Sequence, residues 1–168
     1  MDEHRKEANG SVVVVKNNCG EILILLNNRD PQKLELPGGG IELGELPAQG
    51  AVREVHQETG IVISPHDLLL VGNFVFRERY GIVHLFEYQY QYASTRVLPE
   101  HTSHEVAEKR WMSIPEILVL SRSDTYPAQQ ALIAHYAQWA RNGRNKVVTD
   151  YLSAPFNTLE ENSLPARK

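Results

Sequence analysis

The 168-residue sequence predicts an α/β fold, a β-sheet covered by helices on both faces. Two observations predict it. Apolar runs of strand length recur along the chain, first at residues 12–15 and 22–26. They are interleaved with segments of helical hydrophobic period rather than segregated from them. With 42% hydrophobic and 23% charged residues, a chain of this length makes one domain with an ordinary core.

Residues 11–16 and 21–27 read as two buried strands joined by the turn Asn17-Asn18-Cys19-Gly20. Residues 34–36 end a strand that runs into Pro37 and Gly38-Gly39-Gly40, a combination suited to a tight loop and not to a helix or central strand. A helix over 46–59 follows. Pro47 sits in its first turn, where a missing N–H costs nothing, and Gly60 suits the left-handed position beyond its end. Residues 68–77 and 82–92 form a strand pair linked through Arg79-Tyr80-Gly81, the second alternating with aromatics as a strand with one wetter face does. Residues 93–104 are a polar loop and 107–112 a short strand carrying Trp111, read as core. Residues 115–120 begin a short helix. A longer one spans 127–142, with Leu132, Tyr136 and Trp139 on one face and Gly143 at its exit. The expected organisation is an N-terminal tail (1–10), a domain (11–152) and a flexible C-terminal tail (153–168).

A net charge of −4 and a pI near 6.0 exclude a surface built to coat nucleic acid or to bind an anionic membrane. No apolar run is long enough to span a bilayer, and the charged first residues do not read as a signal peptide. The single cysteine, Cys19, cannot form an internal disulfide, which fits a cytoplasmic location, and its turn setting argues against a catalytic thiol.

The chemistry concentrates in residues 39–61. At roughly 100° per residue, Ala48, Val52, Val55 and Thr59 share one side of the helix, while Glu54 and Glu58 lie opposite with Gln57 beside them. Glu45 and Glu42 precede the helix and can approach the same side. Acidic residues four apart repel, and Glu58 also opposes the helix macrodipole. A solvated charged face tolerates both penalties; a hard divalent cation between the carboxylates relieves them.

The same stretch resembles the Nudix box, G-x5-E-x7-R-E-U-x-E-E-x-G-U, with U a bulky aliphatic residue. Gly39, Glu45, Arg53, Glu54, Val55, Glu58, Gly60 and Ile61 match, and Gln57 departs where the family carries a glutamate. The resemblance implies the Nudix fold, a mixed β-sheet sandwiched between α-helices. It also implies Mg²⁺- or Mn²⁺-dependent hydrolysis of a diphosphate linkage in a small nucleotide. By position, Glu54 and Glu58 become the principal metal ligands, and Arg53 holds the glutamates through charged hydrogen bonds. Gly38 and Gly39 let the backbone approach the metal, and Glu45 steadies loop and helix. Gly40 and Glu42 are also usual in the family, although plain loop structure explains them equally. Gln57 can offer an amide oxygen to the metal but no charge.

The family draws a further carboxylate from a later, variable loop. Glu105 is the candidate, with Glu100 and Glu108 as alternatives, and the neighbouring His101 and His104 are structural. Arg29, Lys33, Arg77 and Tyr80 are the substrate-binding candidates, the basic residues to meet phosphates and Tyr80 to stack on a base; each is also readable as surface. The substrate stays open between a nucleoside triphosphate, a dinucleoside polyphosphate and a nucleotide sugar. The competing class is a Nudix module that binds or senses a nucleotide without cleaving it. An isomerase of this family would need a reactive thiol where Cys19 is not. Homodimers are frequent among Nudix proteins.

Overall fold

Residues 12–15 and 22–26 are buried at every position, as in strands covered on both faces. They lie in β1 (Gly10–Lys16) and β2 (Glu21–Asn27), at the centre of the sheet. The computed structural model describes residues 9–30, 33–76, 81–91, 98–124, 127–144 and 146–152. β1 and β2 pair at Lys16↔Ile22, beside the turn closed by Gly20 at φ 80°, and then diverge. The chain returns into the wedge between them. β3 (Leu34–Glu35) pairs with β2, and β4 (Gly38–Gly40) pairs with β1. Between these two strands the Pro37 carbonyl accepts the Val13 N–H at 2.8 Å.

The rest of the sheet follows from β1 and β2. β5 (Leu69–Phe76) and β6 (Gly81–Gln89) are antiparallel, and β6 runs parallel to β1 from Gly10↔Val83 to Lys16↔Gln89. β7 (Val106–Ser113) lies antiparallel on β2, and β8 (Val148–Leu152) parallel on β5. The order is β3-β2-β1-β6-β5-β8, with β4 on β1 and β7 on β2, a mixed sheet. On one face α1 (Pro47–Thr59) packs Ala51 and Val55 against Val13, Val15, Leu23 and Phe86. On the other, α2 (Ile114–Asp124) and α3 (Pro127–Arg141) place Ile117, Leu132, Ile133 and Tyr136 against Val14, Phe74 and Leu85. Each such side chain stabilises the fold by about 1.5–3 kcal/mol.

The sequence reading requires five corrections. Gly38-Gly39-Gly40 is a short strand, because the wedge beside β1 offers its backbone partners. β6 has no wetter face at its middle: Leu85, Phe86 and Glu87 are buried in succession, since helices cover both sides. It also ends at Gln89, short of residue 92. β8 has no apolar run to announce it; backbone pairing to β5 makes it. The N-terminal boundary moves as well: Gly10 is already in β1, and Asn9 accepts the backbone N–H groups of Ile41 and Ile82. The two tails, residues 1–8 and 153–168, lie outside the described residues, as does Tyr92.

Candidate active site

The site is built where α1 meets the strand wedge. α1 starts at Pro47, and Gln49 reaches back to accept the Leu46 N–H at 2.8 Å, satisfying one of the donors exposed at a helix start. The buried Ser11 hydroxyl donates to the Pro47 carbonyl at 2.7 Å and fastens this end to β1. At the far end Gly60 takes φ 79° and donates its N–H to the His56 carbonyl. A Cβ at Gly60 would also run into the Glu100 carbonyl, so close approach and conformation both require glycine there.

Arg53 organises the acidic residues. Its Nε and Nη2 donate to the two Glu45 oxygens at 2.8 and 3.0 Å, its Nη1 to Glu54 at 2.6 Å, and its Nη2 also to the Gly40 carbonyl at 2.8 Å. Glu45 further accepts the Glu42 N–H at 2.9 Å, while the Glu42 carboxylate stands 3.7 Å from Arg53. These bonds hold the Glu45 carboxyl below the usual carboxylate range, the Arg53 bond contributing most. Gln57 is exposed, and its Oε1 lies 3.4 Å from Arg53 Nη1.

Glu54 and Glu58 converge on β4. The Glu54 side chain is only 17% exposed, and a Cβ on Gly39 would sit 2.5 Å from its carboxyl carbon. Glu58 accepts the Gly38 N–H at 2.9 Å. Burial pushes the Glu58 carboxyl up to about 8, against the lowering effect of that bond, and the charges of Glu54, Glu35 and Glu105 raise it further. The charges that bear on Glu58 thus come from three other carboxylates, two of them outside α1.

Glu105 lies in the turn before β7, 58% exposed, in an ion pair of 2.8 Å with Arg29. Its backbone is tied to the turn after β2: the Asn28 N–H donates to the Glu105 carbonyl at 2.7 Å and Asn28 Nδ2 to the His104 carbonyl at 2.6 Å. Glu108 is engaged by Arg110 on an exposed face, and Glu100 is exposed beside Gly60. His101 Nε2 meets the Val106 carbonyl at 3.2 Å, a structural contact. Lys33 stands just before β3 with its N–H on the Asp30 carbonyl, whereas Arg77 and Tyr80 lie outside the described residues.

Glu35 was missed by sequence reasoning. It alternates between buried Leu34 and Leu36, so its side chain points away from theirs, toward Glu58 and Glu105. Burial raises its carboxyl above the ordinary value, opposed by a hydrogen bond with Asn27. The strand period of two was the available signal.

The donor set suits a hard divalent cation, since carboxylate oxygens under mutual repulsion gain most from one. Among the described residues no three His, Cys, Asp or Glu side chains form a cage able to hold a metal by themselves.

Comparison with known proteins bears on the fold and the family. The family model described as NUDIX domain matches residues 6–136. The chain is 31% identical over 127 residues to the 8-oxo-dGTP diphosphatase of Escherichia coli K12, covering 74% of this chain and 92% of that protein. An Ap4A hydrolase from C. elegans shares its fold at a TM-score of 0.60 and 18% identity, covering 80% of this chain and 99% of that one. A bifunctional NMN adenylyltransferase/ADP ribose pyrophosphatase from Francisella tularensis, solved with AMP and a manganese ion, does so at 0.63 and 20%, covering 81% and 42%. A matching family model over most of the chain, and a relative alike over nearly its whole length, establish that this chain belongs to the Nudix hydrolase family.

Proposed function

We propose that this protein hydrolyses a phosphoric anhydride of a nucleoside triphosphate, dependent on Mg²⁺ or Mn²⁺. The observation that carries the reading is the convergence of Glu54 and Glu58, both drawn partly out of water, on the Gly38–Gly39 backbone with Arg53 fixed beside them. Similarity to the Escherichia coli diphosphatase over 127 residues favours a triphosphate over the other nucleotide classes. When bound, the cation neutralises phosphate oxygens and acidifies water. Glu54 and Glu58 would hold it, and Gln57 and the Gly39 backbone could offer further oxygen donors. Glu105 accepts the proton of the attacking water as its oxygen bonds to phosphorus and the bridging P–O bond breaks. Arg29, ion-paired with Glu105, would meet the phosphates. Arg53 holds Glu54 and Glu45 in register for this work.

No described helix is long and apolar enough to cross a membrane. Cys19 is an exposed thiol in the turn between β1 and β2, which suits a reducing cytoplasm. The neutral Gln57 favours one second reading, a Nudix module that binds a nucleotide without cleaving it. A panel of dGTP, 8-oxo-dGTP, diadenosine tetraphosphate and ADP-ribose, assayed with Mg²⁺ and with excess chelator, separates the two. Hydrolysis of the triphosphates that chelator abolishes is the expected result; binding without turnover across the panel establishes the alternative.

A further inference from the structure

We propose that Lys109 is a positioning residue, clamping the segment that carries Glu105 onto the C-terminal end of α1. It rests on the reading of Glu105 as the carboxylate that completes the site. A helix end leaves backbone carbonyls without intrahelical partners, and in α1 the segment 99–109 supplies them. The Gln57 carbonyl accepts the N–H groups of Thr102 at 3.0 Å and Ser103 at 2.8 Å. The Thr59 carbonyl accepts Lys109 Nζ at 3.1 Å, and the same ammonium reaches the Pro99 carbonyl at 2.5 Å.

One cation therefore joins three places: β7, which carries it, the last residue of α1, and the start of the loop. Between the two clamped ends lie Thr102 and Ser103, and the Ser103 hydroxyl accepts the Glu105 N–H at 3.2 Å. Besides the Asn28 bonds to the turn after β2, the position of Glu105 relative to Glu58 is thus held through backbone bonds anchored on the helix that carries Glu58. An ammonium fits this place because it presents several donors to carbonyls in different directions and complements the negative end of the helix dipole. Glu105 is exposed and long, so it depends on its backbone being fixed.

The experiment compares Lys109→Met, which keeps the stem without donors, and Lys109→Arg with the parent protein, alone and combined with Glu105→Gln. Turnover is read on dGTP, diadenosine tetraphosphate and ADP-ribose with Mg²⁺, the cycle being taken on whichever the parent hydrolyses. Lys109→Met is expected to lower kcat about tenfold with KM changed less than about twofold, and Lys109→Arg to recover most of the loss. In the Glu105→Gln background the same change should cost less than about twofold, because both act through one group. Full additivity would show that Lys109 acts elsewhere and would overturn the proposal.

Hydrogen exchange at the Thr102 and Ser103 amides reads the clamp without activity. Exchange about tenfold faster in Lys109→Met is expected, and unchanged exchange overturns the proposal. Should Glu105→Gln be silent, the Glu105 reading fails, and the exchange result still decides the clamp. Should the methionine variant not fold, the ammonium ¹⁵N–¹H signal of Lys109 in the parent protein decides it. Slow proton exchange supports a hydrogen-bonded cation, and a fast-exchanging, freely rotating one overturns it.

Discussion

Glu58 carries the tension of the site in a single carboxyl. Its folded-state value is raised from 4.5 to about 8 by burial and by its acidic neighbours. The metal-free native state then holds a proton that the unfolded state has lost, across the window from about pH 4.5 to 8. Stability must fall as pH rises through that window, by at most about 1.4 kcal/mol per unit. Melting curves at pH 5 and pH 8 check this: the metal-free protein should melt lower at pH 8, and Mg²⁺ should raise the melting point at pH 8 far more than at pH 5. Hydrolysis should rise toward alkaline pH for the same reason, since the cation displaces that proton. Glu54→Gln and Glu58→Gln should each lower kcat by about two powers of ten or more, with the folded circular-dichroism spectrum retained. Near-parental turnover in either variant would unseat the ligand assignment. Gln57→Glu adds a carboxylate beside Glu54 and should lower the half-saturating Mg²⁺ concentration while changing saturated turnover little. Superimposable Mg²⁺ titrations would mean that the new carboxylate stays with Arg53, toward which the present amide oxygen is turned.

The legibility of each element depended on whether its cause is local. α1 was readable to within a residue because Pro47, the side that carries Val55 and Thr59, and Gly60 just past its end are all local to it. β1 and β2 were readable from apolar runs alone, since a strand buried on both faces needs nothing else. β4 and β8 exist only because β1 and β5 offer them backbone partners, and no residue pattern within Gly38–Gly40 reports that. The candidate site divides in the same way. The carboxylates of α1 follow from helical spacing, but Glu35 comes near enough to influence Glu58 only through the divergence of β1 and β2, and Lys109 meets the end of α1 only through β7. β4 also makes a prediction at this scale. Gly39→Ala places a methyl group 2.5 Å from the Glu54 carboxyl carbon, with β4 unable to retreat because it is paired to β1. The variant should fold and lose metal affinity by about an order of magnitude, because Glu54 is pushed out of line with Glu58. Mn²⁺ titration followed by electron paramagnetic resonance measures it, and unaltered affinity would separate Glu54 from the metal.

Across the whole molecule the two faces of the sheet carry different duties. The α1 face holds acidic groups close together at a cost in stability. The α2/α3 face holds the larger apolar cluster and one buried charge, Glu87, which accepts the Tyr136 hydroxyl at 2.5 Å and lies 3.3 Å from the Arg144 guanidinium. Burial and the bond to Glu87 raise the Tyr136 phenol above its ordinary value, so it remains a donor at physiological pH. Arg144 holds φ 58° and lies over the Trp139 ring, tying the exit of α3 to β6. Substitutions on the two faces should therefore change stability in opposite senses. Arg144→Met leaves a buried carboxylate with one neutral partner and should cost about 1–2 kcal/mol, a figure reduced because the arginine is partly exposed. Its kcat should be unchanged, because no bond of this cluster touches the acidic site. Glu58→Gln removes a charge that burial and three neighbouring carboxylates oppose; at pH 8 without metal it should make the protein more stable, by about 1 kcal/mol or more, while destroying turnover. Urea unfolding of both variants at pH 8 in chelator, paired with turnover in Mg²⁺, decides it. A stabilised, inactive Glu58→Gln beside a destabilised, active Arg144→Met is the expected pair. Loss of stability in both would mean that Glu58 is already relieved of its neighbours without a cation.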